Sequence, residues 1–423
     1  MRTFKIRPIS DDEEQAFELL MKAAGSHVGT EFHSRLAEWR RAGAVQEVNF
    51  LGELGVLSPP SMHDGPVFSV FSYEHVVEVL RNPSVFSSEA VRPSTGKAWG
   101  KTILTEDPPD HDKIHTLGMG FFTRRALAAW KDEIFEPTVR QYVDAILSVG
   151  HGDIHKQVFL PFPVTVLHSV LGLDHDPEES SRFHRLSLQQ FLARMQKDPS
   201  VGMKATEELF DYFFQLIQTS REQQARGVSP EDLLGQMVAV NDREHYVDDD
   251  ELTRFFRILL PAGADTTTNA TGNMFVNFLQ NPDQLDLVRD NPSLVGPAVE
   301  ESIRHNNSSV AIYRGCTEEY ELGGVRIPKG AMVVLSLAAA NRDEERYTEP
   351  DRFDITRKDG GHVGFGHGIH LCIGLHMARM EMSSALEVIV EMMPRLRPDP
   401  DFDMPETRGA LYRHPSHLNV RWD

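Results

Sequence analysis

Cysteine is nearly absent from this chain of 423 residues, which contains only Cys316 and Cys372. Two cysteines are too few for a disulfide framework, so the sequence favours a reducing compartment. The first residues, MRTFKIRPISDDEEQAF, include no apolar stretch of the kind found in a secretory signal. We therefore expect a cytoplasmic protein.

Long apolar runs and an excess of basic residues are also missing. The apolar stretch AMVVLSLAAA at 331–340 is far shorter than the roughly 20 residues that span a bilayer, so no membrane anchor is expected. A formal net charge of −20 gives no basic footprint for nucleic acid, which we exclude as a partner. Hydrophobic residues make up 40% of the chain, enough for a large core.

Helical periodicity dominates the chain. Apolar residues recur at three- and four-residue steps in most segments, which indicates a mainly α fold. A long helix is predicted from the acidic cap at 248–250 to the stop at Asn281-Pro282, with a distortion near Pro261 and Gly263. No repeat or linker divides the chain, so residues 1–423 are expected to form a single domain.

Strand patterns are fewer than helical ones. The segments 66–72, 320–330 and 331–337 are rich in β-branched and aromatic residues and predict strands. Small sheets are therefore expected near residues 50–75 and 310–340. The predicted class is mainly α with a minor β region.

The segment FGHGIHLCIGLHMAR, residues 365–379, concentrates histidine and glycine around one cysteine. Zinc could be bound by His367, His370, Cys372 and His376, although structural zinc sites usually carry paired thiolates. A glycine-rich turn with surface histidines is a second interpretation. A third is a single thiolate that binds haem iron.

The thiolate interpretation gives each neighbour of Cys372 a physical task. Backbone N–H groups in a turn that opens a helix can stabilise a cysteinate. Gly366, Gly368 and Gly374 would let the backbone approach a porphyrin closely or adopt positive φ. Phe365 could shield the sulfur from water, and His370 could reach a propionate.

The pattern F-G-x-G-x-H-x-C-x-G runs without a mismatch from Phe365 to Gly374. It resembles the haem-binding loop of the cytochrome P450 family, with Cys372 as the axial ligand. The resemblance is to soluble bacterial-type haem-thiolate monooxygenases. It implies that haem b lies between a long distal helix and the cysteine loop with its proximal helix. It also implies O2 as co-substrate and electrons from NAD(P)H.

A polar cluster, AGADTTTN at 262–269, interrupts the predicted long helix. It resembles the family's A-G-x-D-T motif, in which Ala262 adjoins the haem and Asp265 and Thr266 form a catalytic acid–alcohol pair. Cleavage of the O–O bond needs two protons while bulk water is excluded. Alternatively, Thr266 could donate to a backbone carbonyl at the distortion.

Two further segments resemble family motifs. In EESIRH, Glu301 and Arg304 lie three residues apart on one helix face, and with Arg352 from EPDRFD they would form a buried ion network.

The segment EDPPDHDKIH resembles the family's propionate-binding D-P-P-x-H-x-x-x-R. His111 matches that motif, whereas His115 stands where the family has arginine. Imidazole titrates near neutrality and lacks the guanidinium fork, so propionate binding there would differ. Arg314 matches a further propionate-binding arginine.

The resemblance implies a monooxygenase that inserts one oxygen atom of O2 into a hydrophobic small molecule by hydroxylation or epoxidation. Terpenoid, steroid, aromatic and fatty acyl compounds all fit this class. Two rivals remain: a haem-thiolate sensor without turnover and a peroxide-driven peroxygenase. The substrate pocket expected from the family fold comprises Val91, Trp99, Leu188, Phe191, Ile258, Val310, Ala311 and Leu411.

Only about 50 residues follow Cys372, too few for a flavin or iron–sulfur domain. We therefore expect electrons from a separate 2Fe-2S ferredoxin with its own reductase. The ferredoxin would dock on the cysteine side through Lys113, Arg124, Arg125 and Arg379.

Overall fold

The computed structural model describes residues 6–57, 65–96, 99–173, 176–195 and 198–423, without the side chains of Ser94, Arg194 and Met195. Helices dominate these ranges, as the periodicity predicts. The α-helices are α1 (Asp11–Ala23), α2 (Phe32–Ala42), α3 (Phe50–Glu53), α4 (Tyr73–Arg81), α5 (Asp110–Met119), α6 (Arg124–Trp130), α7 (Glu136–Leu147), α8 (Pro161–Leu171), α9 (Pro177–Met195), α10 (Ser200–Ala225), α11 (Leu233–Glu244), α12 (Asp249–Gln280), α13 (Pro282–Asp290), α14 (Val295–His305), α15 (Leu337–Ala340) and α16 (Leu375–Met392).

The strands are short. They are β1 (Val45–Gln46), β2 (Val67–Val70), β3 (Phe86–Ser87), β4 (His151–Asp153), β5 (Ala311–Cys316), β6 (Tyr320–Leu322), β7 (Val325–Ile327), β8 (Met332–Ser336), β9 (Arg397–Pro398), β10 (Thr407–Arg408), β11 (His414–Pro415) and β12 (Asn419–Arg421). The predicted strands at 66–72 and 331–337 correspond to β2 and β8, and the segment 320–330 forms the hairpin β6–β7.

The two sheet regions expected from the sequence join in space. One five-stranded sheet has the order β1-β2-β8-β5-β3, and its β2–β8 pair is parallel. Strand β5 is antiparallel to β8, with Arg314 opposite Val333. Pairing with β8, together with the pairing of the next residue, Gly315, with Ser87 of β3, fixes the position of Arg314. Strands near the C-terminus form further small sheets that the sequence did not predict.

The long helix α12 begins and ends where the sequence predicts. Asp248 caps it by accepting a hydrogen bond from the N–H of Glu251 at 2.8 Å, and the Glu251 carboxylate accepts in return from the N–H of Asp248. The helix continues through Pro261 without a break, and α13 starts at Pro282. Its flanks pack against α8, α9, α10, α14 and α16, so most of its side chains are buried.

A close contact fixes the cysteine segment beside α12. A Cβ added at Gly118 of α5 would lie 2.5 Å from Cδ1 of Ile373 and 3.1 Å from Cζ of Phe255. Ile373 follows Cys372 and Phe255 belongs to α12, so α5 joins these two elements. Among the described helices, none is both long and apolar enough to cross a bilayer.

Candidate active site

The cysteine loop is shaped by two glycines with left-handed backbone. Gly366 has φ of +74° and Gly368 has φ of +70°, conformations that side chains with a Cβ rarely adopt. The N–H of Cys372 donates to the carbonyl of Phe365 at 3.0 Å and closes the loop. Gly374 has an ordinary φ of −83°, so its role differs from the one expected for left-handed glycines. The loop thus delivers Cys372 to the start of α16.

The accessibility of Cys372, in a segment that packs beside α5 and α12, indicates an internal cleft. The Cys372 side chain is accessible, and the neighbouring Leu371 is 42% exposed. Burial raises the pKa of the Cys372 thiol, whereas the N–H of Gly374 and the guanidinium of Arg379 lower it. These two groups act in the direction that a cysteinate ligand requires.

Accessible side chains on α12 also mark this cleft. Ala262 is exposed and Gly263 and Thr266 are half-buried, although the turns of α12 on either side are buried. A mid-helix alanine that is exposed inside a packed fold must face an internal space. Ala262, Thr266 and Cys372 are therefore all accessible in the interior, as expected for residues that line a prosthetic-group site.

The side chains of Asp265 and Thr266 have different neighbours. The Thr266 hydroxyl donates to the carbonyl of Ala262 at 2.6 Å, which is the backbone hydrogen bond considered as the alternative from the sequence. Asp265 is only 4% exposed and lies 3.5 Å from the Nε2 of His184 on α9. Burial raises the pKa of Asp265, and His184 opposes that shift.

Three histidines and one arginine gather on another side of the cleft. The His111 ring stacks on His115 at 5.1 Å between centroids and meets the His370 ring edge-on at 4.4 Å. Burial, followed by the charge of Arg314, lowers the pKa of His370 to about 3. His370 Nε2 lies 2.9 Å from the hydroxyl oxygen of Ser88.

This cluster has donors in excess of acceptors. The buried Nε2 of His111 has no hydrogen-bond partner in the described part of the chain. Arg314 is 7% exposed, and burial lowers its pKa to about 10. Among the described residues, no carboxylate lies within 4 Å of its guanidinium. Carboxylates of a bound group would satisfy these donors, so the residues fit the propionates of haem.

The four candidate zinc ligands do not converge. His367 accepts a hydrogen bond from Arg81 at 2.8 Å, while His370 contacts Ser88. Across the described ranges, no group of three or more histidine, cysteine or acidic side chains is arranged to bind a metal ion. The loop therefore offers a single thiolate rather than a zinc cage.

The predicted ion network is present, with one correction. Arg304 and Glu301 are buried and form two hydrogen bonds of 2.7 and 2.9 Å. The prediction for Arg352 is wrong, because its side chain is 60% exposed and pairs with Glu349. Arg357 takes the inner position, 3.3 Å from Glu301. Arg352 contributes only its carbonyl, which accepts from Arg304 and Arg357.

The residues predicted to form the substrate pocket lie together in one apolar cluster. Trp99 meets Phe191 edge-on with centroids 5.1 Å apart. The buried members are Trp99, Leu188, Phe191, Ile258, Val310 and Leu411, and the partly buried ones are Val91 and Ala311.

Sequence reasoning missed the polar residues around this cluster and behind Asp265. Arg257 is 3% exposed and donates to the carbonyl of Trp99. His184 connects Asp265 to Glu13, a residue 171 positions away in the chain. No local sequence pattern predicts such a contact, because it forms only when α1 packs against α9.

The cationic residues expected to bind a redox partner differ in whether they already form ion pairs within the protein. Lys113 pairs with Asp110 at 2.8 Å, and Arg379 forms two hydrogen bonds to Glu300. Arg124 and Arg125 are exposed and form no ion pair within the described residues. Burial lowers the pKa of His376, and the positive charges of Arg379 and Arg124 lower it further. Both arginines therefore lie near the start of α16.

The chain is similar to known proteins over most of its length. A family model described as Cytochrome P450 matches residues 291–419. The chain is 35% identical over 308 residues to Cytochrome P450 107B1 of Saccharopolyspora erythraea, covering 72% of this chain and 73% of that protein. It is 32% identical over 321 residues to 6-deoxyerythronolide B hydroxylase of the same organism, covering 75% of this chain and 77% of that protein.

A solved structure has the same fold. Myxobacterial cytochrome P450 CYP267B1 in complex with myristic acid superposes with a TM-score of 0.80 at 26% identity, covering 96% of this chain and 99% of that one. The predicted fold class and enzyme class are thereby confirmed. Members of the family use haem b, O2 and electrons that redox partners deliver from NAD(P)H. This chain belongs to the cytochrome P450 family of haem-thiolate oxidoreductases.

Proposed function

We propose that this protein is a monooxygenase that inserts one oxygen atom of O2 into a hydrophobic small molecule, with Cys372 as the axial ligand of haem iron. The observation that carries the proposal is the accessible Cys372 in an interior where Ala262 and Thr266 of α12 are also accessible. When bound, haem b supplies O2 activation and oxygen transfer. The residues of the chain supply its binding, its electrostatic surroundings and the protons.

We assign propionate binding to the donor cluster of His111, His115, Arg314 and His370. The Nε2 of His111, which has no partner among the described residues, and the desolvated guanidinium of Arg314 support this role, because a carboxylate would restore the hydrogen bonds that burial removed. His115 stacks on His111 and so stays within the cluster despite replacing arginine. Phe365, Gly366 and Gly374 shape the loop around the sulfur.

Asp265 and Thr266 are proposed to handle protons on the opposite side of the haem. The Thr266 hydroxyl donates its proton in a hydrogen bond to the Ala262 carbonyl. The Thr266 hydroxyl oxygen can therefore still accept a hydrogen bond from a group in the cleft. Asp265 holds its proton more tightly than an exposed carboxyl because it is buried. Such a residue can donate at neutral pH, as general acid catalysis requires.

The decisive experiment is a carbon monoxide difference spectrum of the reduced protein. Cys372→Ala should lose the far red-shifted Soret band that marks thiolate ligation. The matched Cys316→Ala should retain it, since Cys316 is 3% exposed in the five-stranded sheet and donates to the Glu318 carbonyl. A red-shifted band that survives Cys372→Ala would contradict the assignment.

The substrate class follows from the apolar cluster around Trp99 and Phe191. Arg257 adds one desolvated cation at its edge, and no acidic side chain lies within 4 Å of it in the described ranges. We propose that the preferred substrates are apolar molecules with one acceptor group, such as a fatty acid. A spin-state titration with myristic acid and its methyl ester tests this. Tighter binding of the acid, lost in Arg257→Gln, is expected; equal binding of both would contradict it.

Electrons are proposed to arrive from a 2Fe-2S ferredoxin that binds beside the start of α16. Arg124 and Arg125 support this surface because they are exposed and unpaired among the described residues. We place the reaction in the cytoplasm, where NAD(P)H is available and Cys372 stays reduced.

A further inference from the structure

The proposed acid Asp265 has an unusual neighbour. Both of its carboxylate oxygens are buried and lack a hydrogen bond of normal length to the described residues. The nearest ionisable group is His184, whose Nε2 is 3.5 Å from Oδ1 of Asp265. His184 is itself only 1% exposed, so water does not screen this pair.

The other ring nitrogen of His184 is already committed. Its Nδ1 lies 2.8 Å from Oε1 of Glu13, a carboxylate of α1 with no exposed surface. A carboxylate at this distance accepts the Nδ1–H. The ring is therefore held with its Nε2 edge directed at Asp265, and its rotation is prevented.

Glu13 is kept ionised by its own partners. Arg7 donates to both of its oxygens at 2.6 Å. Ser10 and Ser181 donate to Oε2 at 2.8 and 2.6 Å. In spite of burial, His184 and Arg7 lower the pKa of Glu13 well below its usual value. A permanent negative charge beside Nδ1 favours the imidazolium form of His184.

We propose that His184 is a positioning residue for Asp265, held by Glu13 and Arg7, and that one proton is shared between His184 and Asp265. The inference rests on the proposed function of Asp265. In one form the pair is imidazolium and carboxylate; in the other the Nε2 proton has moved to Oδ1, giving neutral imidazole and carboxylic acid. Charge and protons balance in this transfer, so Asp265 can receive a proton from His184 and pass it on through its neighbour Thr266, which is accessible.

Few other ionisable groups face the His184 ring. Glu13 and Arg7 approach from α1 and the residues before it, and Asp265 approaches from α12. Tyr142 of α7 lies close to Arg7 and Glu13. From α8, His168 packs edge-on against Phe183, with centroids 4.9 Å apart.

On the remaining side, α10 contributes Glu208, which pairs with the exposed Arg182. The proton state of His184 is therefore governed mainly by the two carboxylates that touch it.

The first experiment measures that state directly. Ring-¹⁵N-labelled histidine in the reduced carbon monoxide form, with His184→Gln for assignment, reports the protonation of both nitrogens by NMR. We expect Nδ1 to be protonated at pH 7.5 and Nε2 to show a shift between the protonated and neutral values, because its proton is shared with Asp265, and we expect Glu13→Gln to lower the pKa of His184. Glu14→Gln is the matched control, because Glu14 is adjacent on α1 but pairs with Lys156. A neutral ring at pH 7.5 whose Nε2 shift does not respond to Asp265→Asn, or a titration unchanged by Glu13→Gln, would overturn the proposal.

The second experiment tests positioning. With NADH, a bacterial ferredoxin and its reductase, and myristic acid as trial substrate, product and peroxide are measured against pH. His184→Gln should lower product formation about 10-fold and move the pH profile upward, because burial then raises the pKa of Asp265 unopposed. Glu13→Gln should have a smaller effect in the same direction, and Glu14→Gln none. Identical profiles for all variants would refute the inference.

The two experiments separate this inference from the proposed function. If the protein lacks the red-shifted carbon monoxide band, the proposed function fails, yet the NMR titration of the purified protein still decides the state of His184. If the band is present and His184 shares no proton with Asp265, only the inference fails. If myristic acid is not oxidised, the NMR result alone decides.

Discussion

The two sides of the proposed haem site are built in different ways. On the cysteine side, ten consecutive residues from Phe365 to Gly374 contain the loop, and its shape depends on backbone conformation and N–H groups. On the opposite side, Asp265 depends on His184 and Glu13, which come from two other helices. One side is local in the chain and the other exists only through tertiary packing.

This difference predicts how each side responds to substitution. A local loop with left-handed glycines tolerates few substitutions, because a Cβ at a left-handed position strains the backbone whatever the rest of the fold does. A network of side chains can lose one member and keep its fold, with graded changes in protonation and coupling. Substitutions on the cysteine side should therefore reduce folding stability and haem incorporation. Substitutions on the acid side should instead change proton delivery and product formation.

The largest expected effect is that of Gly368→Ala. Gly368 has φ of +70°, and an added Cβ would overlap the carbonyl oxygen of Leu80 on α4. We expect a loss of more than about 4 kcal/mol in unfolding free energy and little haem incorporation, measured by denaturant unfolding and absorbance. Gly361→Ala is the control, since nothing lies within 4 Å of its Cβ position. Similar stability of both variants would contradict the local description of this side.

A smaller loss is expected in the ion network behind the loop. Arg357→Ala removes a buried partner of Glu301 and should cost about 2 kcal/mol in unfolding free energy. Arg352→Ala should change it by less than about 0.5 kcal/mol, because that side chain is 60% exposed. A larger loss of unfolding free energy in Arg352→Ala than in Arg357→Ala would support Arg352 as the network arginine, as the sequence predicted.

On the acid side, Thr266→Ala should leave haem and substrate binding intact. It removes the hydroxyl that bonds to the Ala262 carbonyl and reaches the cleft, so protons are delivered poorly. We expect about a 10-fold lower ratio of product to hydrogen peroxide, whereas Thr266→Ser retains most of the wild-type ratio. An unchanged ratio in Thr266→Ala would remove Thr266 from proton handling.

The pH dependence of stability sharpens the same comparison. The two carboxylates raise the pKa of His184 above 6.5 in the folded state, against the opposing effect of burial. Its stabilising contribution is therefore complete below pH 6.5 and is lost as the pH rises through the raised pKa. Urea unfolding should show the difference between wild type and His184→Gln shrinking toward alkaline pH. A difference that grows with pH would show that His184 is buried as a neutral ring.

The smallest effect concerns the surface near α16. Reversing Arg124 and Arg125 to glutamate should slow electron delivery from ferredoxin by roughly 3-fold at low salt, with little effect at high salt. Arg226→Glu, an exposed site at the end of α10, should leave the rate unchanged. A salt dependence equal to that of wild type would place the docking surface elsewhere.

Much of the site could be predicted because it is encoded locally. The Phe365–Gly374 pattern, the limits of α12 and the Glu301–Arg304 pair each lie within one short segment, where spacing on a turn or helix fixes geometry. Arg352 shows the limit of this reasoning. It lies five residues from Arg357, in a segment without regular structure, and spacing there does not tell which arginine points inward.

The sequence by itself determined the family, the mainly α class, the single candidate thiolate and the candidate acid–alcohol pair on the long helix. Only the tertiary structure decided that Asp265 faces His184, that Glu13 and Arg7 hold that histidine, and that Arg257 lies among apolar residues. The physical reason is burial: when α1, α9 and α12 pack, their polar groups lose water and must find one another, and partners so distant in the chain leave no trace in its local pattern.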